Sequence, residues 1–135
     1  MKILGIGTDI VNNKRFKSLV KNKNFIIRTY SKNEIKFSKN FLNKTNYFAK
    51  RFAAKEALSK SLGTGFRYNL NLKDIEVLND KMGKPFYFIT NKVHKIITKR
   101  FKIKKYNLFL SISDESDYSV AFSILQIKKW KLKAF

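Results

Sequence analysis

The chain has 135 residues, with 30 lysines and arginines against 9 aspartates and glutamates, no cysteine and a net charge of +21. This length suits one domain spanning residues 1–135, able to bury roughly 65 to 70% of its unfolded surface. The missing cysteine excludes a disulfide framework, a thiolate zinc site and a catalytic thiol.

No apolar run approaches the ~18 residues of a membrane span, and the opening "MKILGIGTDIV" lacks the small-residue cleavage site of a signal peptide. The expectation is a cytoplasmic protein. So basic a surface attracts polyanions: nucleic acid, an anionic membrane, an acidic protein or a phosphorylated cofactor. Arginine, the side chain best suited to bidentate phosphate or guanine contacts, occurs only at positions 15, 28, 51, 67 and 100. The excess is lysine spread along the whole chain, so charge alone argues weakly for nucleic acid.

In chain order, "KILGIG" reads as a strand ending at Gly7-Thr8-Asp9, whose tip presents a carboxylate. A basic helix is expected from about Asn13, and "SKNE" sets Ser31 and Glu34 at capping-box spacing for the next one. From Thr45 to Leu62, the residues Phe48, Phe52, Leu58 and Leu62 share one arc at a 3.6-residue period, and Gly63 is a stop signal. "DIEVLNDKMGKPFYFI" gives two strands about a Lys-Met-Gly-Lys turn, with Pro85 opening the second. Val93, Ile96, Ile97 and Phe101 mark a further amphipathic helix, and "NLFLSISDESDYSVAFSILQI" a closing hairpin about the acidic turn Asp114 to Asp117. Helices mixed with antiparallel hairpins predict an α+β fold.

The glycine motifs fail as nucleotide signatures. In "GIGTDI" Ile10 replaces the third glycine of a dinucleotide fingerprint, and "GTGFRY" lacks the Lys-Ser/Thr ending of a P-loop. A serine triad would have to use His94, the single histidine, in a helical run of lysines. The scarce carboxylates say more. Asp9 reads either as a helix cap or as a ligand at the end of the strand. Glu56 reads either as a surface pair with Lys60, worth only ~0.3 to 0.5 kcal/mol, or as a half-desolvated ligand beside Phe52. If both bind a cation, oxygen donors without cysteine or a suitable histidine indicate magnesium before zinc. Lys55 and Lys60 would then flank a pyrophosphate.

Four ordered blocks, "GIGTDIV", "FAKRFAAKEALSKSLGTGF", "NDKMGKPF" and "LSISDESDYSVAFSIL", resemble the holo-acyl-carrier-protein synthase family of small phosphopantetheinyl transferases over almost the whole chain. The resemblance implies a small antiparallel sheet packed with helices, in a homotrimer with active sites between subunits. It implies magnesium-dependent transfer of phosphopantetheine from coenzyme A to a serine of apo acyl carrier protein, releasing adenosine 3',5'-bisphosphate, in support of fatty acid biosynthesis. By the same resemblance Asp9 and Glu56 are the metal ligands, and Lys60 contacts the coenzyme phosphates. Lys55, Ser59, Gly63 and Gly65 complete that motif, and Gly83, Lys84 and Pro85 form a turn near the adenine nucleotide. The family's basic first helix docks the acidic carrier, which points to Arg15, Lys21, Phe25 and Arg28.

Two positions depart from the pattern. Asn12 stands where members commonly have glutamate, and Asp114 where many have histidine. The tail "KKWKLKAF" has no counterpart in the resemblance. Competing readings are an RNA-binding module, suggested by aromatic residues interleaved with lysine in "KRFKIKKYNLF", and membrane-surface binding, which rests on charge alone. The aromatics alternate as core residues do, against open stacking platforms.

Overall fold

The first strand, β1 (Lys2–Asn12), is longer than the apolar run predicts, because β-branched Ile10 and Val11 carry it past Asp9. Asp9 therefore lies within the strand rather than at its tip. A 3-10 turn (Asn13–Arg15) follows, then α1 (Phe16–Leu19), α2 (Lys23–Thr29), α3 (Lys32–Ser38) and the long α4 (Lys44–Leu62). After a second 3-10 turn (Leu72–Asp74) come β2 (Glu76–Asn79), β3 (Pro85–Phe88), α5 (Asn91–Phe101), β4 (Tyr106–Asp114) and β5 (Tyr118–Ile127). The computed structural model describes residues 2–128, so nearly all of the basic tail falls outside the described residues.

Strands β1, β5 and β4 form one antiparallel sheet in that order, and β2 pairs with β3 in a separate ribbon. The expected α+β class and both hairpins are present. The basic segment after Asn13 is not one helix. It breaks between α1 and α2, where the Asn22 side chain accepts the Phe25 amide at 3.1 Å and caps a new start. The capping box forms as predicted: the Ser31 hydroxyl accepts from the Glu34 amide at 3.1 Å, and the Glu34 carboxylate accepts from the Ser31 amide at 2.8 Å.

Helix α4 is the axis of the core. Beyond the predicted arc, Tyr47, Ala49, Ala53, Ala54 and Ala57 are also buried, so nearly the whole circumference is covered. Gly63, at φ +69°, ends the helix in the left-handed conformation that glycine adopts without strain. The helix lies on β1 so closely that a Cβ at Gly5 would collide with the Ser61 carbonyl oxygen, and one at Gly7 with that of Ala57. That contact is what Gly5-x-Gly7 encodes. With period 2 along the strand, Asp9 follows Gly5 and Gly7 on the face turned toward α4.

The opposite face of the sheet is apolar and open. Ile6, Phe109 and Phe122 are 58, 49 and 40% exposed, and Ile6 and Phe109 flank Ile124 across the three strands.

Candidate active site

Asp9 from β1 and Glu56 and Lys60 from α4 meet where the glycines bring strand and helix together. The Lys60 ammonium donates to the Thr8 carbonyl at 2.9 Å and to Asp9 Oδ1 at 3.3 Å. It thus reaches the neighbouring strand, with room left for another acceptor, since its side chain is 53% exposed. Glu56, one turn earlier, is half-buried. Its carboxyl is held above the ordinary glutamate range, first by burial and then by the charge of Asp9, with Lys60 opposing. Lys60 pairs with Asp9 rather than forming the surface pair read for Glu56.

Two cavities meet at Glu56. One of about 320 Å³ is lined by Asp9, Arg15, Phe16, Phe25 and Phe52 among others. The other, of about 380 Å³, is lined by Phe25, Arg28, Phe66, Leu70 and Leu72. Glu56 and Phe25 belong to both. The walls Phe16, Phe66, Leu70 and Leu72 were not singled out from sequence, because an apolar side chain carries no chemical signature until folding shows what it faces.

Other expected residues lie elsewhere. Lys55 does not face the carboxylate pair. It is fully buried, and its ammonium donates to Glu34 Oε1 at 2.6 Å, to the Leu72 carbonyl at 3.1 Å and to the Ile75 carbonyl. The expectation that it flanks a pyrophosphate is corrected, because all three protons are used inside the core. Ser59 is buried, and its hydroxyl donates to the Glu56 carbonyl at 2.8 Å. Gly63 and Gly65, the latter at φ +58°, shape the loop that follows Lys60.

Gly83, at φ +86°, lies with Lys84 and Pro85 in the turn of the β2–β3 ribbon, and none of the three lines either cavity. That turn is tied to α4 through Asn79, which donates to the Gly83 carbonyl at 2.8 Å and accepts from the buried guanidinium of Arg51. Of the basic segment, Arg15 and Arg28 each line one cavity, while Lys21 is exposed in the break between α1 and α2. Phe25 also packs edge-on against Phe16 and Tyr30, with centroids 6.1 and 6.2 Å away, so it is both core and wall.

The two departures acquire local roles. Asn12 accepts from the Lys14 amide at 3.0 Å and caps the 3-10 turn. Asp114 accepts from the Asn46 side-chain amide at 2.6 Å, which joins the acidic hairpin to the first turn of α4. His94 lies outside this site, with Nδ1 2.7 Å from the Tyr106 hydroxyl.

Residues 5–123 match the 4'-phosphopantetheinyl transferase superfamily. The chain belongs to that family. It is 60% identical over 128 residues to a holo-[acyl-carrier-protein] synthase of Pelagibacter ubique, covering 95% of this chain and 100% of the relative. Among solved structures, holo-[acyl-carrier-protein] synthase from Neisseria meningitidis superposes with a TM-score of 0.82 at 37% identity, over 93% of this chain and 99% of that one. The Bacillus anthracis enzyme, solved in complex with CoA (3',5'-ADP), gives a TM-score of 0.76 at 33% identity, over 93% of this phosphopantetheinyl transferase and 98% of its counterpart.

Proposed function

We propose that this transferase moves the phosphopantetheine arm of coenzyme A onto a serine of apo acyl carrier protein, releases adenosine 3',5'-bisphosphate, and so supports fatty acid biosynthesis in the cytoplasm. The observation that carries the reading is that Glu56, shared by two adjoining cavities, lies with Asp9 in the smaller one, where Lys60 donates to Asp9, in a chain whose relatives are synthases of this kind.

Magnesium fits the donor set. Two carboxylates near enough for Asp9 to raise Glu56 gain from a shared hard cation, and the described residues contain no cluster of three or more histidine, cysteine or acidic side chains to supply a fuller shell. Two protein carboxylates completed by water and phosphate oxygens is an ordinary magnesium arrangement. Asp9 and Glu56 would hold the ion, which when bound supplies Lewis-acid polarisation of the phosphoryl oxygens.

The remaining work is positioning and charge stabilisation. The serine oxygen attacks the β-phosphorus, the bond from that phosphorus to the bridging oxygen breaks, and the bisphosphate leaves. Lys60, already reaching across to Asp9, would contact the phosphates and offset the growing negative charge. Gly63 and Gly65 would let the following loop approach them, with Ser59 buttressing the helix beneath. The serine proton passes to water or to the departing bisphosphate.

Arg15, Lys21 and Arg28, with Phe25, form the proposed docking side for the acidic carrier, where charge speeds encounter more than it deepens affinity. We also assign a homotrimer with sites between subunits. The open apolar face around Ile6, Phe109 and Phe122 supports association. The placement of Gly83, Lys84 and Pro85 away from both cavities is consistent with that turn serving a neighbouring subunit's nucleotide.

The test is to mix the protein with apo acyl carrier protein, coenzyme A and magnesium and to follow the carrier by intact mass. A gain of one phosphopantetheine is expected. No addition across several carriers would sink the proposal, and tight, sequence-tolerant RNA binding with a steep salt slope would favour the nucleic-acid alternative.

A further inference from the structure

The loop from Gly63 to Asp74 supplies Phe66, Leu70 and Leu72 to the wall of the larger cavity at Glu56. Phe66 is exposed and Asn71 caps only the short turn at its end, where its amide meets Asp74 at 2.8 Å. Tyr68 and Asn69 stand at φ +58° and +60°, a conformation that non-glycine residues adopt at a cost. Something must hold such a loop in one position.

Thr90 and Lys92 hold the loop's end at Asp74 and Leu70 packs in the core; Lys55 ties it to the helix that carries Glu56. Next in sequence to Glu56 but pointing into the core, it fastens the Leu72 and Ile75 carbonyls to α4. Burial favours its neutral form and Glu34 opposes this by pairing with it, its second oxygen accepting the Val77 amide of β2 at 3.2 Å. Both side chains are fully buried. Removing the tether leaves two backbone carbonyls without that donor and frees the wall.

We infer that Lys55 and Glu34 are positioning residues for carrier recognition: the buried pair fixes the Phe66–Leu72 wall, which joins Arg28 and Phe25 in receiving the acidic carrier. The inference rests on the transferase reading and extends its docking side from the basic segment to a loop almost forty residues further along the chain. A buried ion pair is not needed for stability as such, since apolar or neutral substitutes of similar volume often serve as well. What a neutral substitute lacks is the ammonium that reaches both carbonyls.

The experiment compares the wild type with Lys55→Met, Glu34→Gln and the double variant, by steady-state kinetics in each substrate and by hydrogen exchange over residues 64–75. The double variant, which carries no unpaired buried charge, is expected to recover most of the thermal stability lost by Lys55→Met. It should nevertheless keep a carrier KM at least tenfold above wild type, with the coenzyme A KM within twofold and kcat within threefold. Apart from Ser31 and Val77, whose amides Glu34 also accepts, faster exchange should be confined to residues 64–75.

An unchanged carrier KM in the double variant, or recovery of KM together with stability, overturns the inference. So does a rise in the coenzyme A KM alone, which would mark Lys55 as a phosphate contact. If the wild type transfers nothing, the transferase reading fails by itself. The exchange arm then still decides the tether, because equal protection of residues 64–75 in all four proteins refutes it.

Discussion

Helix α4 carries two lysine–carboxylate pairs five residues apart, and they are opposites. Lys55 with Glu34 is sealed, its 2.6 Å ion pair surrounded by further hydrogen bonds to backbone. Lys60 with Asp9 is looser, 3.3 Å apart with the lysine half exposed, beside a second carboxylate, Glu56, whose pKa is raised first by burial and then by the charge of Asp9. A satisfied pair has nothing left to bind with, whereas the half-exposed Lys60 keeps donor capacity for a further acceptor. Burial and satisfaction, rather than residue type, separate the sealed lysine from the open one.

The contrast breaks most sharply at the open pair. Asp9→Ala and Glu56→Ala are each expected to lower turnover about 10³-fold, a barrier increase of about 4 kcal/mol, while circular dichroism stays native. Wild-type rates in either variant would remove that residue from the proposed ligand set. At the sealed pair the effect should be on stability. Glu34→Ala leaves the Lys55 charge uncompensated in the core and should cost about 3 kcal/mol, read from the urea midpoint at constant m-value.

Between the pairs, Gly7→Ala forces β1 away from α4 and should cost about 2 kcal/mol through overpacking. It should also reduce activity even where the protein is fully folded, since Asp9 moves with the strand.

The smallest effect sharpens the comparison through pH. Glu56 has a folded pKa raised above its unfolded value, so its ionised form is disfavoured by folding, and stability at this residue improves as pH falls through the folded pKa. Glu56→Gln should therefore be slightly more stable than wild type at neutral pH in the absence of divalent metal, with the advantage fading under acid. Parallel melting curves at neutral and acidic pH check this, and a gain that grows toward low pH would contradict the sign.

Much of this was legible in the sequence where a signal has a local cause. The capping box at Ser31–Glu34, the glycine stop at Gly63 and the hairpin opened by Pro85 each depend on neighbours a few residues away. That Asp9, Glu56 and Lys60 come together was anticipated because carboxylates are scarce in so basic a chain and because ordered motif blocks matched a family. Lys55 was misassigned for the complementary reason: its partners Glu34, Leu72 and Ile75 lie about twenty residues away on either side, and a lysine in a motif looks the same whether it faces water or the core. The role of Gly5 and Gly7 was equally hidden, since a close strand–helix contact requires knowing which helix arrives.

Strand β1 places Gly5, Gly7 and Asp9 on the helix side, and Ile6 on the open apolar side. Because the pleat alternates regularly from Gly5 onward, past the register shift between Ile3 and Gly5, deleting one residue between Gly7 and Asp9 while the glycines stay seated would turn the carboxylate outward, into the apolar face. This part of the chain should therefore accept apolar exchanges on its outer side but no change of length: its reading frame is what keeps the carboxylate on the helix side.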